Sequence, residues 1–238
     1  MARSPRGKSG GAKPSAPAQP ADEAVSITPA PPATLHATLA ELSKGQVLHR
    51  VHQEQYQADQ FNPGVRGNAR FSPLQDDQGQ PIPTLYGGTT MDCALMETVF
   101  HDVPHTAGFK SFDKEKLVGQ VHSIVEVAQP LQVVDLTSVS LHKLGITRKQ
   151  LIDTEKDQYP ATRKWAEALR RQCQDAQGLS WVSRQDDSAR AVVLFGDRIP
   201  GGALKPQGAS RSLVNDGNAY DAVLDLADRI GVAIIPGK

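Results

Sequence analysis

The order of predicted strands and helices constrains the fold of this 238-residue chain more than any other feature. Short runs rich in Val, Ile and Leu, which favour strands, follow one another at several points without a helix between them. A regular alternation of strand and helix, which builds a wholly parallel sheet, is therefore excluded. We predict one α+β domain around a mixed β-sheet, with helical additions. Strands are expected at 46–52, 85–86, 117–127, 131–136, 179–183, 191–195 and 232–235.

Helical periodicity predicts the remaining elements. Apolar residues repeat at helical spacing over 90–101 and over 219–230. The charged segment 138–174 is also expected to be largely helical. A short helix is predicted from Thr34 to Lys44, because Thr34 can cap it and leucines follow at helical spacing. Residues 196–217 are rich in Gly, Pro and Ser and predict a long loop.

The beginning of the chain differs in composition from the rest. Residues 1–20 contain four basic residues and no acidic residue, among Pro, Ala, Gly and Ser. Such a segment buries too little apolar surface to offset the entropy lost on ordering. We therefore expect residues 1–33 to form a disordered basic arm, most simply a solvated tail, and residues 34–238 to form the domain.

Composition argues against several classes of function. Lys and Arg together number 26, as do Asp and Glu, so the net charge gives no support for nucleic-acid binding. Aromatic residues make up only 5% of the chain, which disfavours base stacking. We see no apolar run of membrane-spanning or secretory-signal type, so we expect a cytoplasmic protein that binds no membrane. Its two cysteines, Cys93 and Cys173, are expected to be reduced and unpaired.

The histidine spacing does not favour a metal site. His49 and His52 lie three residues apart in a predicted strand, which directs them to opposite faces. His101 and His105 lie four apart, but Pro104 interrupts any helix that could bring them together. We therefore expect no metal.

The segment 84–97 carries the most informative polar pattern. A predicted strand ends at Tyr86, two glycines follow, and a helix begins near Thr90 and carries Glu97. On a helical period Glu97 shares a face with Ala94, so it is not fully solvated. A carboxylate in that position needs a partner or a polar cavity. The residues alone leave open a structural glutamate paired with an arginine.

An ordered set of short motifs resembles the RES-domain family, which is named for its Arg, Glu and Ser. The set spans about residues 46–198 and comprises Arg50, Ala69-Arg70-Phe71, Leu85-Tyr86, Ala94-Leu95-Met96-Glu97 and Gly178-Leu179-Ser180-Trp181-Val182-Ser183. Family members resemble ADP-ribosyltransferase toxins in fold and consume NAD⁺, and many are paired with an antitoxin. The resemblance implies an ADP-ribosyltransferase-like sheet, NAD⁺ as the substrate, a cognate antitoxin and a homodimer.

The resemblance also implies a role for each matching residue. Glu97, Ser183 and Arg70 correspond to the catalytic residues, and Arg50, Arg70, Tyr86 and Ser183 to those that contact the dinucleotide. The residue types suit this chemistry, because a carboxylate near the ribose stabilises the positive charge that develops as nicotinamide leaves. An arginine offers a planar fork to a pyrophosphate. The longer stretch between Arg70 and Tyr86 departs from compact family members and leaves the mode of antitoxin binding open.

Three functions remain open on the sequence. The first is cleavage of NAD⁺ by a glycohydrolase or phosphorylase, with water or inorganic phosphate as acceptor. The second is an ADP-ribosyltransferase that modifies a macromolecule. The third is a non-catalytic module that binds a partner, against which the joint presence of all five matching residues argues.

Overall fold

The structure is a computed structural model that describes residues 1, 27–64 and 66–237. In these residues it contains thirteen strands and five α-helices. The strands are β1 (Leu39–Leu42), β2 (Val47–Gln53), β3 (Leu74–Gln75), β4 (Pro81–Ile82), β5 (Thr84–Gly88), β6 (Lys110–Asp113), β7 (Gln120–Val127), β8 (Leu131–Asp135), β9 (Gly178–Val182), β10 (Arg190–Phe195), β11 (Leu204–Pro206), β12 (Arg211–Ser212) and β13 (Val232–Ile235). The helices are α1 (Met91–Thr98), α2 (Ser138–Leu144), α3 (Arg148–Leu151), α4 (Tyr159–Gln172) and α5 (Gly217–Arg229).

Nine of the strands form one sheet. Their order is β1-β8-β9-β10-β5-β2-β7-β11, and β12 also pairs with β7. The pair β8–β9 is parallel, whereas the other neighbours run antiparallel. The predicted α+β domain with a mixed sheet is therefore confirmed. Each predicted strand segment contains an observed strand, although β13 pairs with β6 in a separate two-stranded sheet.

Two local predictions were wrong. The expected helix from Thr34 to Lys44 is absent, and β1 occupies its second half, paired antiparallel with β8 at four positions. The leucines there fit a helical period, but the edge of β8 offers partners for the backbone that a local pattern does not reveal. The predicted loop 196–217 likewise contains the short strands β11 and β12, which both pair with β7.

Most of the predicted arm, residues 2–26, lies outside the described residues. Immediately after it, the Thr28 hydroxyl donates to the Gln150 carbonyl at 2.6 Å. The buried indole of Trp165 on α4 donates to the Pro29 carbonyl at 2.7 Å. The chain is thus attached to the domain from Thr28, before the predicted boundary at residue 34, because a buried indole N–H needs an acceptor.

Helices α1 and α4 pack on one face of the sheet. Trp165 of α4 and Cys93 of α1 belong to the same buried apolar cluster as Trp181 and Val193 on β9 and β10. Polar side chains carried by α1 and α4 therefore meet above the centre of the sheet. Cys93 is fully buried, and neither cysteine forms a disulfide, as predicted. None of the helices in the described part of the chain is both long and apolar enough to cross a membrane.

Candidate active site

A cavity opens where two neighbouring strands of the sheet separate. Strands β2 and β5 pair at a single register position, His49 opposite Gly88. Beyond that pair the strands diverge, and residues of both line a cavity of about 450 Å³. This volume falls within the range of about 300–1,000 Å³ that small-molecule sites occupy. The opening therefore provides space for a ligand at the centre of the domain.

Helix α1 brings Glu97 to this cavity. The Thr90 hydroxyl caps the helix by accepting from the Cys93 amide at 3.0 Å. The helix lies so close to β5 that a Cβ atom at Gly88 would stand 2.8 Å from the Cys93 sulfur. Only glycine permits that approach, so Gly88 fixes the height of α1 above the sheet. The prediction that the strand ends at Tyr86 and a Gly-Gly turn follows was wrong, because both glycines belong to β5 and pair with β10. Ala94, Glu97 and Thr98 then face the cavity.

Glu97 is held from behind by a serine. The Ser183 hydroxyl donates to Glu97 Oε1 at 2.7 Å and accepts from the amides of Gln185 and Asp186 at 3.0 and 3.1 Å. Ser183 is fully buried and does not line the cavity, unlike the other four predicted site residues. Its hydrogen bonds are therefore directed to Glu97 and to its own turn, and the geometry supports a positioning role.

Arg70 faces Glu97 with most of its hydrogen-bonding capacity unused. Its Nη1 lies 3.9 Å from Glu97 Oε2, at the long limit of an ion pair. The side chain is 4% exposed, yet Nε and Nη2 have no hydrogen-bond partner among the described residues. The guanidinium stands over the ring of Tyr159 at 5.6 Å. The ion pair that the sequence left open as an alternative is thus present, but it is loose.

Arg50 lines the same cavity from β2 and, unlike Arg70, makes hydrogen bonds to the backbone. Its Nη1 donates to the carbonyls of Gln57, Ala58 and Gln60 at 3.4, 2.8 and 2.7 Å. Burial lowers the pKa of Arg50 to about 10, so the group remains cationic at neutral pH. Arg50 therefore fastens the segment after β2 while it contributes positive charge to the cavity wall.

Tyr86 lines the cavity from β5. Its hydroxyl accepts from the Phe71 amide at 3.1 Å. Its ring meets Trp181 edge to face, with 6.3 Å between ring centroids. Burial raises the pKa of Tyr86 to about 12, so the phenol stays neutral. Tyr86 thereby connects the strand to the loop that carries Arg70.

The structure adds residues to the cavity that sequence reasoning missed. Tyr159 and His101 both line it, and the Tyr159 hydroxyl is 2.9 Å from His101 Nε2. His101 could have been found, because it lies four residues beyond Glu97 on the same face of the helix predicted over 90–101, although α1 ends earlier, at Thr98. Tyr159 carried no such signal, since α4 reaches the cavity only through the tertiary fold.

The two histidines of β2 lie on opposite faces, as predicted. His49 bonds to His122, and His52 bonds to Ser123, which are consecutive residues of the neighbouring strand β7. In the described ranges, no three His, Cys, Asp or Glu side chains gather as a metal-binding group would require. The expectation that the site uses no metal stays a prediction.

Comparisons with known proteins concern the family and the fold of the chain. The family model described as RES domain matches residues 47–216. Among solved structures, a chain of the M. tuberculosis MbcT–MbcA toxin–antitoxin complex is similar, with a TM-score of 0.55 and 15% sequence identity. The match covers 76% of this chain and 90% of that chain, and at this identity it concerns the fold. No curated protein sequence matches the chain.

Proposed function

The chain belongs to the RES-domain family, and we propose that it cleaves the bond between nicotinamide and ribose in NAD⁺. The acceptor in this proposal is water or inorganic phosphate, so the enzyme is an NAD⁺ glycohydrolase or phosphorylase. The observation that carries the proposal is the buried guanidinium of Arg70 beside Glu97 in a central cavity, two of whose nitrogens have no partner in the part of the chain that the structure describes.

The unpaired nitrogens of Arg70 favour an anionic ligand. Leaving a buried polar group without a partner costs about 1–3 kcal/mol, and more for a charged group. A phosphate oxygen of a dinucleotide would supply the missing acceptors, because a guanidinium bonds phosphate through parallel N–H groups. Arg50 adds a second positive charge to the wall of the same cavity. The site thus suits the pyrophosphate of NAD⁺.

Glu97 suits the other end of the reaction. When the bond between the nicotinamide nitrogen and ribose C1′ breaks, the electron pair leaves with nicotinamide, which departs as a neutral molecule. Positive charge develops on the ribose, and a carboxylate beside it stabilises that charge. Water or phosphate then attacks C1′, and water loses a proton in the process. Ser183 holds Oε1 of Glu97 at 2.7 Å, so the carboxylate is oriented before the substrate arrives.

We extend the proposal to the biological context. The similar structure is a chain of a toxin–antitoxin complex, which supports a toxin with a cognate antitoxin. We propose that this antitoxin holds the enzyme inactive and that both act in the cytoplasm. In this proposal the enzyme depletes NAD⁺ when the antitoxin is lost. A homodimer remains part of the proposal on the family resemblance alone.

The test is to incubate the purified protein with NAD⁺ and to measure free nicotinamide. Identification of the second product separates the acceptors: ADP-ribose indicates water, ADP-ribose phosphate indicates inorganic phosphate, and ADP-ribose attached to protein or nucleic acid indicates transfer to a macromolecule. Intact NAD⁺ after prolonged incubation with folded protein would contradict the enzyme and leave a partner-binding module.

A further inference from the structure

The two histidines of β2 differ in how their ring nitrogens are used. Nδ1 of His52 lies 2.9 Å from the Gln53 carbonyl and Nε2 lies 2.8 Å from the Ser123 hydroxyl, so both nitrogens are occupied. Nδ1 of His49 lies 2.9 Å from Nε2 of His122. Within the part of the chain that the structure describes, Nε2 of His49 has no hydrogen-bond partner, and His49 lines the cavity.

The hydrogen-bond chain behind His49 fixes which nitrogen carries the proton. Arg211 Nη2 lies 3.4 Å from Nδ1 of His122, and a guanidinium can only donate. Nδ1 of His122 is therefore the acceptor, and its Nε2 carries the proton and donates to Nδ1 of His49. His49 must then carry its own proton on Nε2, the nitrogen left for the cavity.

The same chain keeps the two rings neutral. An extra proton on Nδ1 of His122 would face the N–H of Arg211, and one on Nδ1 of His49 would face the N–H of His122. In agreement, burial and the nearby Arg211 charge lower the pKa of His49. Burial, followed by His49 and Arg211, lowers the pKa of His122 to about 4. His49 is thus held as an uncharged donor.

An uncharged donor suits a particular part of the proposed substrate. The nicotinamide ring of NAD⁺ is positively charged and would be repelled by an imidazolium, but its carboxamide oxygen accepts from a neutral N–H. The phosphates already have two arginines available. We propose, on the basis of the proposed function, that His49 Nε2–H binds the nicotinamide carboxamide oxygen, with His122 and Arg211 as positioning residues.

The first test compares NAD⁺ with its thionicotinamide analogue, in which sulfur, a weaker acceptor, replaces the carboxamide oxygen. The ratio of kcat/KM for the two dinucleotides is measured for each variant, so that differences in intrinsic reactivity cancel. His49→Phe should reduce the preference for NAD⁺ by roughly 3- to 10-fold, the size of one hydrogen bond. His49→Gln, which retains a donor, should keep part of the preference.

A matched control is available on the same strand. His52 also lines the cavity, but both of its ring nitrogens are occupied by protein groups, so His52→Gln removes no donor that is available to a ligand. It should lower the melting temperature and leave the ratio for the two dinucleotides as in the wild type. An equal loss of discrimination in His52→Gln and His49→Phe would overturn the specific role of His49.

The second test uses the ligand-free protein and does not depend on activity. Nitrogen-15 NMR of the imidazoles distinguishes a proton on Nδ1 from one on Nε2. We expect the Nε2–H form for both His49 and His122 in the wild type. Arg211→Met should release His122 and shift part of both populations to the Nδ1–H form. An Nδ1–H form of His49 in the wild type would contradict the hydrogen-bond chain that runs from Arg211 through His122 to His49.

The outcomes separate this inference from the proposed function. Cleavage of both dinucleotides with an unchanged ratio in His49→Phe overturns the inference alone. If NAD⁺ is bound but not cleaved, the proposed function fails alone. The inference is then tested by the ratio of the dissociation constants for the two dinucleotides, which should change in His49→Phe. If neither dinucleotide binds, both fail.

Discussion

Two buried arginines line one cavity, and their hydrogen bonds differ completely. Arg50, on the β2 side, donates to three backbone carbonyls of the segment that follows β2. Arg70, on the opposite side, has two nitrogens without partners among the described residues and a loose ion pair with Glu97. Both side chains are less than 10% exposed, so burial does not distinguish them.

The difference separates framework from ligand site. A guanidinium nitrogen that donates to backbone carbonyls, as Nη1 of Arg50 does, stabilises the fold, whereas a buried one without a partner awaits an acceptor. The β2 side of the cavity therefore combines a structural contact, made by Nη1 of Arg50, with the positive charge of Arg50 and the donor of His49. The Arg70–Glu97 side is the side on which we place the chemistry. The family pattern treats both arginines alike, and only the structure tells them apart.

The strongest test of the reactive side is Glu97→Gln. The amide keeps the size of the side chain and can still accept from Ser183, but it removes the negative charge. Turnover of NAD⁺ should fall on the order of a hundredfold or more, with a small change in KM, because the positive ribose exists mainly in the transition state. Nicotinamide release measures the rate, and an unchanged melting transition is the control. A folded variant with wild-type turnover would remove Glu97 from the mechanism.

Arg50→Met should act mainly on stability. The change removes three hydrogen bonds to buried or half-buried carbonyls and leaves those carbonyls unpaired. We expect the free energy of unfolding to fall by about 2–4 kcal/mol. Urea unfolding of the purified protein measures this loss. A variant as stable as the wild type would show that the segment 57–60 is held by other contacts.

Arg70→Met should show the opposite pattern. The guanidinium makes few bonds within the protein, so its removal should leave the melting temperature nearly unchanged. The variant lacks the contact to phosphates that are already present in the bound substrate, so KM for NAD⁺ should rise on the order of tenfold to a hundredfold. Steady-state kinetics and melting curves check both halves. A large loss of stability without a change in KM would reverse the comparison between the arginines.

Ser183→Ala tests whether the serine acts through Glu97. Loss of the hydroxyl frees the carboxylate, and we expect turnover to fall roughly tenfold, the value of about one hydrogen bond. Ser180→Ala is a matched control, because Ser180 is a buried serine on β9 that bonds to Arg190 instead. The control should keep wild-type turnover. Equal losses in the two variants would assign the effect to the strand and not to Glu97.

The smallest expected effect concerns the neutral histidines behind β2. Burial, followed by the neighbouring His49 and Arg211, lowers the pKa of His122 from its ordinary value of 6.5 to about 4 in the folded protein. Between these values the unfolded chain binds more protons than the folded one, so stability is complete above about pH 6.5 and falls as the pH approaches 4. His122→Gln should weaken this dependence. Melting temperatures at pH 7 and pH 5 provide the comparison, and parallel curves for the two proteins would contradict it.

The sequence alone determined the fold class and most of the elements. Strand β10 was predictable because its apolar run reflects burial within the sheet. Helix α1 and the position of Glu97 on it were predictable because the Thr90 cap and the helical period are local signals. The failure at residues 34–44 is equally instructive, since leucines at helical spacing formed β1 once the edge of β8 was available.

Only the tertiary structure showed which site residues bond to the protein and which are left to bind a ligand. Arg50, Arg70 and Ser183 are distant in sequence, and no local pattern states which donors find partners after folding. The separation of β2 from β5, the approach of Tyr159 to Arg70 and the relay from Arg211 to His49 all join segments far apart along the chain. Whether a buried donor has a hydrogen-bond partner depends on which residues the folded chain brings next to it. Buried donors without a partner mark the ligand site, and donors with protein partners belong to the surrounding structure.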